Sequence, residues 1–435
     1  MEKILYVVHC VDTEGPLDET LEATFVRLES LFGISLPATK DNLLKIQRME
    51  IDFQGNEQAI AKCFAPELLK YNSNWLEIDS MLEEILADKF RLQQPDSFGN
   101  GWIYSWHCMD HMGFTDNPRN KDYGYGKIFR FYKSKLNEFG SSFDEINWHF
   151  HPLSITRNPT HAATSYINSY DVLIEIMCRR ILEDDWFPVV NRPGFHSERP
   201  DSHVFLEQWI PFDYANQFCE RDDTQPDTLE GRFGDWRRAP KTWRGYHPSH
   251  DDYQIAGDCR RTIFRCLNVG TRMRLLKEVD VRDAFLEAQS YGNAILAFAN
   301  HDWRDMKPDV EYVQDLLRKI RDDFPEVLIR YAGAEEAATA MIFQEANPPL
   351  ELGLELRSNQ IYVEVIKGKI FGPQPFLAIQ SKSGEFFHDN FDIVDPLTRW
   401  TYCLDEQTLP MDKVDSIGVG AAGRHGTYSV KKIKF

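Results

Sequence analysis

Two carboxylates follow the first apolar segment of the chain. Residues 4–11 are mostly apolar and rich in β-branched side chains, and Asp12-Thr13-Glu14 comes directly after them. In a strand, residues i and i+2 point to the same face, so we expect Asp12 and Glu14 to share one. Neighbouring carboxylates can divide the work of hydrolysis, because one can bind a metal ion while the other accepts a proton.

Two histidines lie in a later strand pattern. The segment Trp148-His149-Phe150-His151-Pro152 places both imidazoles on one face of a strand. Imidazole is a ligand that suits zinc, and three protein ligands with one open position are typical of catalytic zinc. One carboxylate of the first motif and these two histidines would complete such a set.

Two further motifs follow strand patterns. Asn191-Arg192-Pro193-Gly194 comes after a short apolar run, and a buried arginine at such a place pairs with a carboxylate. That pairing would orient the base and lower its pKa. His301 and Asp302 end a later apolar strand, where a histidine suits the role of general acid.

An alternative pair of histidines stays open. His107 and His111 are four residues apart, near an earlier predicted strand at 101–108. They could supply a metal ligand, or they could line the cleft or pack in the core.

The remaining pattern predicts the elements that position these residues. Strand-like and helix-like segments alternate from residue 4 to residue 331, which indicates an α/β domain, either open or closed into a barrel. In both arrangements the carboxyl ends of the strands carry the site. The pattern changes at Ala346-Asn347-Pro348-Pro349, and short β-rich runs follow. We therefore predict an α/β domain at 1–345 and a small β-sandwich-like module at 346–435.

Composition limits the partners and the compartment. The net charge of −19 disfavours a nucleic acid partner, since an acidic surface repels phosphate backbones. No run approaches the roughly 18 apolar residues of a membrane span. The N-terminus lacks the features of a signal peptide, and the eight cysteines are scattered, so we expect free thiols and a cytoplasmic protein.

These motifs resemble the polysaccharide deacetylase family, carbohydrate esterase family four, over roughly residues 1–340. The chain is most similar to the branch found in lipopolysaccharide and O-antigen biosynthesis, whose members carry the H-x-H-P pattern of His149 and His151 and a late H-D. The family's two metal histidines are usually four apart, so the spacing here differs, and His161 is an alternative second ligand. The resemblance implies a deformed (β/α) barrel of about seven parallel strands and a bound zinc or other divalent ion.

The resemblance also implies roles for individual residues. Asp12 would be the base, Arg192 would hold it, and His301 would be the acid. Glu14, His149 and His151 would bind the metal. The expected substrate contacts are Trp148, Pro193, Asp302 and Trp303.

The implied reaction is removal of an N-acetyl group from a sugar or sugar-linked intermediate. A hydrolase of another C–N amide and a glycan-binding protein without catalysis are the alternatives. Three arginines in the loop region could steer a diphosphate-linked sugar or simply be solvated: Arg237, Arg238 and Arg244.

Overall fold

Seven parallel strands close into a barrel. The computed structural model describes residues 2–159, 165–220, 234–270, 276–343 and 348–435. The barrel strands are β1 (Lys3–Thr13), β2 (Ser105–Met109), β3 (Glu145–Phe150), β4 (Val190–Pro193), β5 (Phe212–Asn216), β6 (Thr262–Asn268) and β7 (Asn293–His301). Neighbours in the chain are neighbours in the sheet from β2 to β7, β7 pairs with β1, and β1 pairs with β2. The predicted barrel of about seven parallel strands is therefore confirmed.

The first strand has a double role in the closure. Its second part, Cys10 to Thr13, pairs with β2. Its first part, Lys3 to Val7, pairs instead with an eighth parallel strand, β8 (Val327–Tyr331). The barrel is deformed because β1 has these two partners along the same edge. Residues 5–13 of β1 are buried throughout, as a strand covered on both faces requires.

Helices surround the barrel and connect its strands. They are α1 (Leu21–Phe32), α2 (Lys40–Gln47), α3 (Glu57–Cys63), α4 (Trp75–Ile85), α5 (Asp88–Arg91), α6 (Lys127–Glu138), α7 (Tyr170–Leu182), α8 (Pro200–Trp209), α9 (Glu278–Tyr291), α10 (Lys307–Arg321) and α11 (Ala334–Ile342). Most bury one apolar stripe: α10, for example, buries Val310, Val313, Leu317 and Ile320 and exposes its charges. The first three form a small apolar cluster of their own between β1 and β2.

The C-terminal part is an all-β module, as predicted. One antiparallel sheet contains β9 (Glu351–Arg357), β10 (Gln360–Lys367), β13 (Asp392–Asp395) and β14 (Arg399–Cys403). The other contains β11 (Phe376–Ser381), β12 (Phe386–Asp389), β15 (Val414–Ala422) and β16 (Tyr428–Lys434). Apolar side chains of both sheets share one core. The predicted boundary at 345/346 lies outside the described residues.

All eight cysteines are free thiols. Among the described residues, no helix is both long enough and apolar enough to cross a lipid bilayer.

Candidate metal centre

The carboxyl ends of four strands bring the predicted chemical groups together. Asp12 lies on β1 and Glu14 just after it, while His149 lies on β3 and His151 just after that strand. Arg192 lies on β4 and His301 ends β7. Since all barrel strands run parallel, their carboxyl ends meet at one rim, which is where barrels of this kind carry their sites.

Three of these residues form a buried group that could hold a metal ion. One donor atom from each of Glu14, His149 and His151 lies within 4.8 Å of the others. Nε2 of His151 is 3.4 Å from Oε1 of Glu14 and 2.9 Å from Nε2 of His149. Two imidazole nitrogens and one carboxylate oxygen this close together are a donor set suited to zinc.

The hydrogen bond made by the other nitrogen of His149 fixes its tautomer. Nδ1 donates to the carbonyl oxygen of Arg192 over 2.6 Å, so the lone pair of Nε2 is directed toward Glu14 and His151. Burial lowers the pKa of His149 well below its usual value, which keeps the ring neutral, as a metal ligand must be. The residues present therefore fit a divalent ion.

The loop after β4 approaches His151 closely, which explains the glycine of the Arg192-Pro193-Gly194 motif. A Cβ atom on Gly194 would lie 2.2 Å from Cδ2 of His151, so a larger residue cannot occupy this position without displacing the ring. Phe195 has a φ of 55°, a left-handed conformation that costs energy for an aromatic residue. Its ring packs edge-on against His151, with 4.6 Å between the ring centroids.

The first carboxylate of the motif pairs with the predicted arginine. Arg192 donates from Nε to Oδ1 of Asp12 over 2.6 Å. The guanidinium is held in place by the carbonyl oxygen of Tyr214 and the side chain of Asn268. Burial raises the pKa of Asp12 to about 6 although Arg192 opposes the increase. Asp12 is therefore ionised at neutral pH and close to the range in which a general base works well.

The second carboxylate has a partner that the sequence did not indicate. Lys121 forms an ion pair with Oε2 of Glu14, and its ammonium group lies 4.3 Å from the ring centroid of Trp303. Burial alone would raise the pKa of Glu14, but Lys121 and His151 hold it well below the ordinary value. Lys121 lies in a polar segment without a strand pattern, so only the folded chain reveals its place in the site.

The predicted acid stands beside the base. His301 stacks on Trp303 with 3.9 Å between ring centroids, and its Nε2 is 3.7 Å from Oδ2 of Asp12. Burial lowers the pKa of His301 well below its usual value, so the resting imidazole is neutral. Among the described residues, Nδ1 of His301 has no hydrogen-bond partner.

The four expected substrate contacts are divided between the core and a cavity. Asp302 is fully buried and accepts hydrogen bonds from the backbone N–H groups of Glu14 and Gly15, both over 2.9 Å, and from the hydroxyl of Tyr132. It therefore positions Glu14. Trp148 and Pro193 are also buried in the fold. Trp303 lines a cavity of about 150 Å³ beside Glu14 and His151.

The alternative histidines have other contacts. His111 donates from Nε2 to the backbone carbonyl of Glu14 over 2.8 Å, which supports the position of that residue. His107 is buried in the barrel, with Nδ1 3.3 Å from the carbonyl oxygen of Trp148. Neither belongs to the group of converging donor atoms. His161 lies outside the described residues.

Comparisons of the chain with protein-family models, with curated proteins and with solved structures give no match.

Proposed function

We propose that this chain is a zinc-dependent hydrolase that removes an N-acetyl group from a sugar or sugar-linked intermediate. The proposal follows the resemblance to polysaccharide deacetylases and includes a cytoplasmic role in the biosynthesis of surface polysaccharide or lipopolysaccharide. The observation that carries it is the buried Glu14, His149 and His151 group with the Asp12–Arg192 pair directly beside it.

The chain supplies both proton-transfer groups that amide hydrolysis requires. A divalent ion held by Glu14, His149 and His151 would polarise the acyl carbonyl and make water more acidic. Arg192 occupies Oδ1 of Asp12, so Oδ2 can accept the proton of the attacking water. Because His301 rests neutral, its proton has to arrive during turnover, and Oδ2 of Asp12 lies 3.7 Å away to supply it. His301 then protonates the departing amine as the C–N bond breaks, which yields acetate and a free amino sugar.

The metal site is tested by metal content in purified protein supplied with zinc. We expect about one zinc per chain, as a three-ligand site predicts. A His149→Ala/His151→Ala double variant should lose the zinc, and a His250→Ala variant should keep it, because that side chain is 71% exposed. If the folded double variant keeps its zinc and His111→Ala loses it, His111 is a ligand and the metal site lies elsewhere than proposed.

The reaction is tested by release of acetate from a panel of N-acetylated amino sugars, free and carrier-linked. We expect wild type to release acetate and Asp12→Asn to release none while it keeps its zinc. Release of formate from formylated analogues instead would indicate another C–N amide. A zinc-loaded wild type that releases no acid from any of them contradicts the proposal.

A further inference from the structure

Three cations line the cavity beside the metal centre. Arg27 comes from α1, and Arg119 and Lys121 come from the segment between β2 and α6. Two carboxylates, Glu14 and Glu19, also line it. This local excess of positive charge stands in a chain whose acidic residues outnumber its basic ones by 68 to 49.

One carboxylate holds both arginines. Glu19, whose side chain is 1% exposed, pairs with Nη1 of Arg27 over 2.8 Å and lies 3.6 Å from Nε of Arg119. The hydroxyl of Tyr71 also donates to Glu19, over 2.7 Å. A single negative charge therefore positions two guanidinium groups without neutralising both.

Arg27 retains unused hydrogen-bonding capacity at this wall of the cavity. The residue is 8% exposed, and its Nε and Nη2 find no acceptor among the described residues. These two nitrogens form the edge of a guanidinium that binds a carboxylate or phosphate side-on. Buried donors without acceptors are costly, so an anion that reached this edge from the cavity would be stabilised by it.

The third cation shares its partner with the proposed metal ion. Lys121 pairs with Glu14, which is also one of the three converging donors. With a divalent ion bound, the charge of Glu14 would be divided between the ion and Lys121, and the cavity would become more positive. An anionic ligand would neutralise this excess positive charge.

We propose that the cavity binds an anionic group of the substrate, a phosphate or a carboxylate, through Arg27, Arg119 and Lys121. As a statement about substrate this rests on the proposed function, although anion binding can be measured without it. Phe195 and Trp303 line the same cavity, and aromatic surface suits an uncharged ring that carries the anionic group.

The three arginines of the loop region differ from the cavity cations in their surroundings. Arg237 pairs with Asp235, Arg238 pairs with Asp252, and Arg244 stacks on Tyr291. Arg237 and Arg238 are 81% and 58% exposed, so water solvates them. Arg238 is therefore a matched control for Arg119: both are cations near a carboxylate, but only Arg119 lines the cavity beside the metal centre.

Titration calorimetry with inorganic phosphate and with butyrate tests the proposal. We expect zinc-loaded wild type to bind one of the two anions. The affinity of Arg119→Gln for that anion should be lower by about tenfold or more, because this variant loses a charge-assisted hydrogen bond. Arg238→Gln should bind the anion as tightly as wild type does. Preference for phosphate or butyrate identifies the kind of anionic group. Circular dichroism establishes that each variant is folded. Arg27→Lys tests the contribution of the second arginine that lines the cavity, and we expect it to weaken anion binding as well.

The His149→Ala/His151→Ala variant separates this site from the metal. Retained anion binding there supports the proposal even where the zinc or acetate experiments fail. Binding that is lost with the histidines but unchanged in Arg119→Gln means that the anion binds zinc, and this would overturn the proposal. Absence of binding to wild type would also overturn it.

Discussion

At the scale of single residues, the pair of Asp12 and Arg192 decides the protonation state of the site. Burial favours the neutral carboxylic acid, and the guanidinium 2.6 Å away favours the carboxylate. Asp12 can accept a proton only when it is ionised, so activity must fall as the pH decreases through its pKa.

The substitution Arg192→Gln tests this balance. Loss of the positive charge raises the pKa of Asp12, so the acid limb of kcat/KM for acetate release should move to higher pH by about one unit or more. The pH profile of kcat/KM measures the shift.

Arg180 provides the control, because it forms another buried pair with Asp110, with side chains 1% and 2% exposed. Arg180→Gln should lose comparable stability and leave the acid limb in place. An acid limb that stays in place in a folded Arg192→Gln variant would show that Asp12 is not the base.

The sequence predicts which side chains lie together in the candidate site, but it does not predict all of the residues that contact them. Asp12, His149, Arg192 and His301 each follow a strand pattern, so a parallel barrel brings them to one rim. Lys121 follows no such pattern, and its contact with Glu14 joins residues 107 positions apart. The positioning role of Asp302 likewise depends on backbone groups that only the fold places beside it.

At the scale of elements, the C-terminal module is packed against α7 of the barrel domain. Strand β15 passes so close to this helix that Gly418 has no room for a side chain. A Cβ atom there would lie 2.5 Å from Cγ2 of Ile181 and 2.9 Å from Cδ2 of Leu182. The backbone of Gly418 is in an ordinary extended conformation, so the glycine is required by the contact alone.

Gly418→Ala should therefore destabilise the protein by about 1–3 kcal/mol, the usual cost of overpacking a well-packed contact. Urea unfolding measures the difference, and Ser416→Ala on the same strand, which is only partly buried, serves as the control with little expected change. Equal stability of Gly418→Ala and wild type would mean that the sheet and the helix are not packed as described.

The elements of the barrel were easier to predict than its closure. Apolar runs and helical periodicity locate most strands and helices of the α/β domain. The pairing of β1 with both β2 and β8 could not be predicted in this way, because it depends on the register of each neighbouring strand along β1. No individual prediction covered α1, α2 and α3, whose buried apolar side chains form a separate cluster.

At the scale of the whole molecule, buried ionisable groups make stability depend on pH in two opposite directions. Burial lowers the pKa of His9 and of His107 to about 3, so the unfolded chain binds protons that the folded chain does not. Stability from these groups is present above pH 6.5 and is lost as the pH falls below it. Burial raises the pKa of Glu145 to about 7, so that carboxyl makes the fold less stable as the pH rises from about 4.5 to 7.

His9 allows one of these contributions to be isolated. Nδ1 of its ring accepts a hydrogen bond from Nε1 of Trp102 over 3.1 Å, and Nε2 donates to Oδ1 of Asn300 over 2.8 Å. A second proton would have to be placed on Nδ1, directly against the indole N–H. The network therefore selects the neutral ring, as the low pKa indicates.

The substitution His9→Gln removes the titration while the amide can keep a donor for Asn300 and an acceptor for Trp102. Wild type should lose more stability than the variant between pH 6.5 and 5.5, by about 1 kcal/mol, because one buried group that excludes a proton contributes up to about 1.4 kcal/mol per pH unit. Urea unfolding at the two pH values measures both slopes. The control His250→Ala removes a histidine whose side chain is 71% exposed, and it should retain the wild-type slope. Identical slopes for His9→Gln and wild type would mean that His9 is protonated in the fold, which would require a different arrangement of Trp102 and Asn300 inside the barrel.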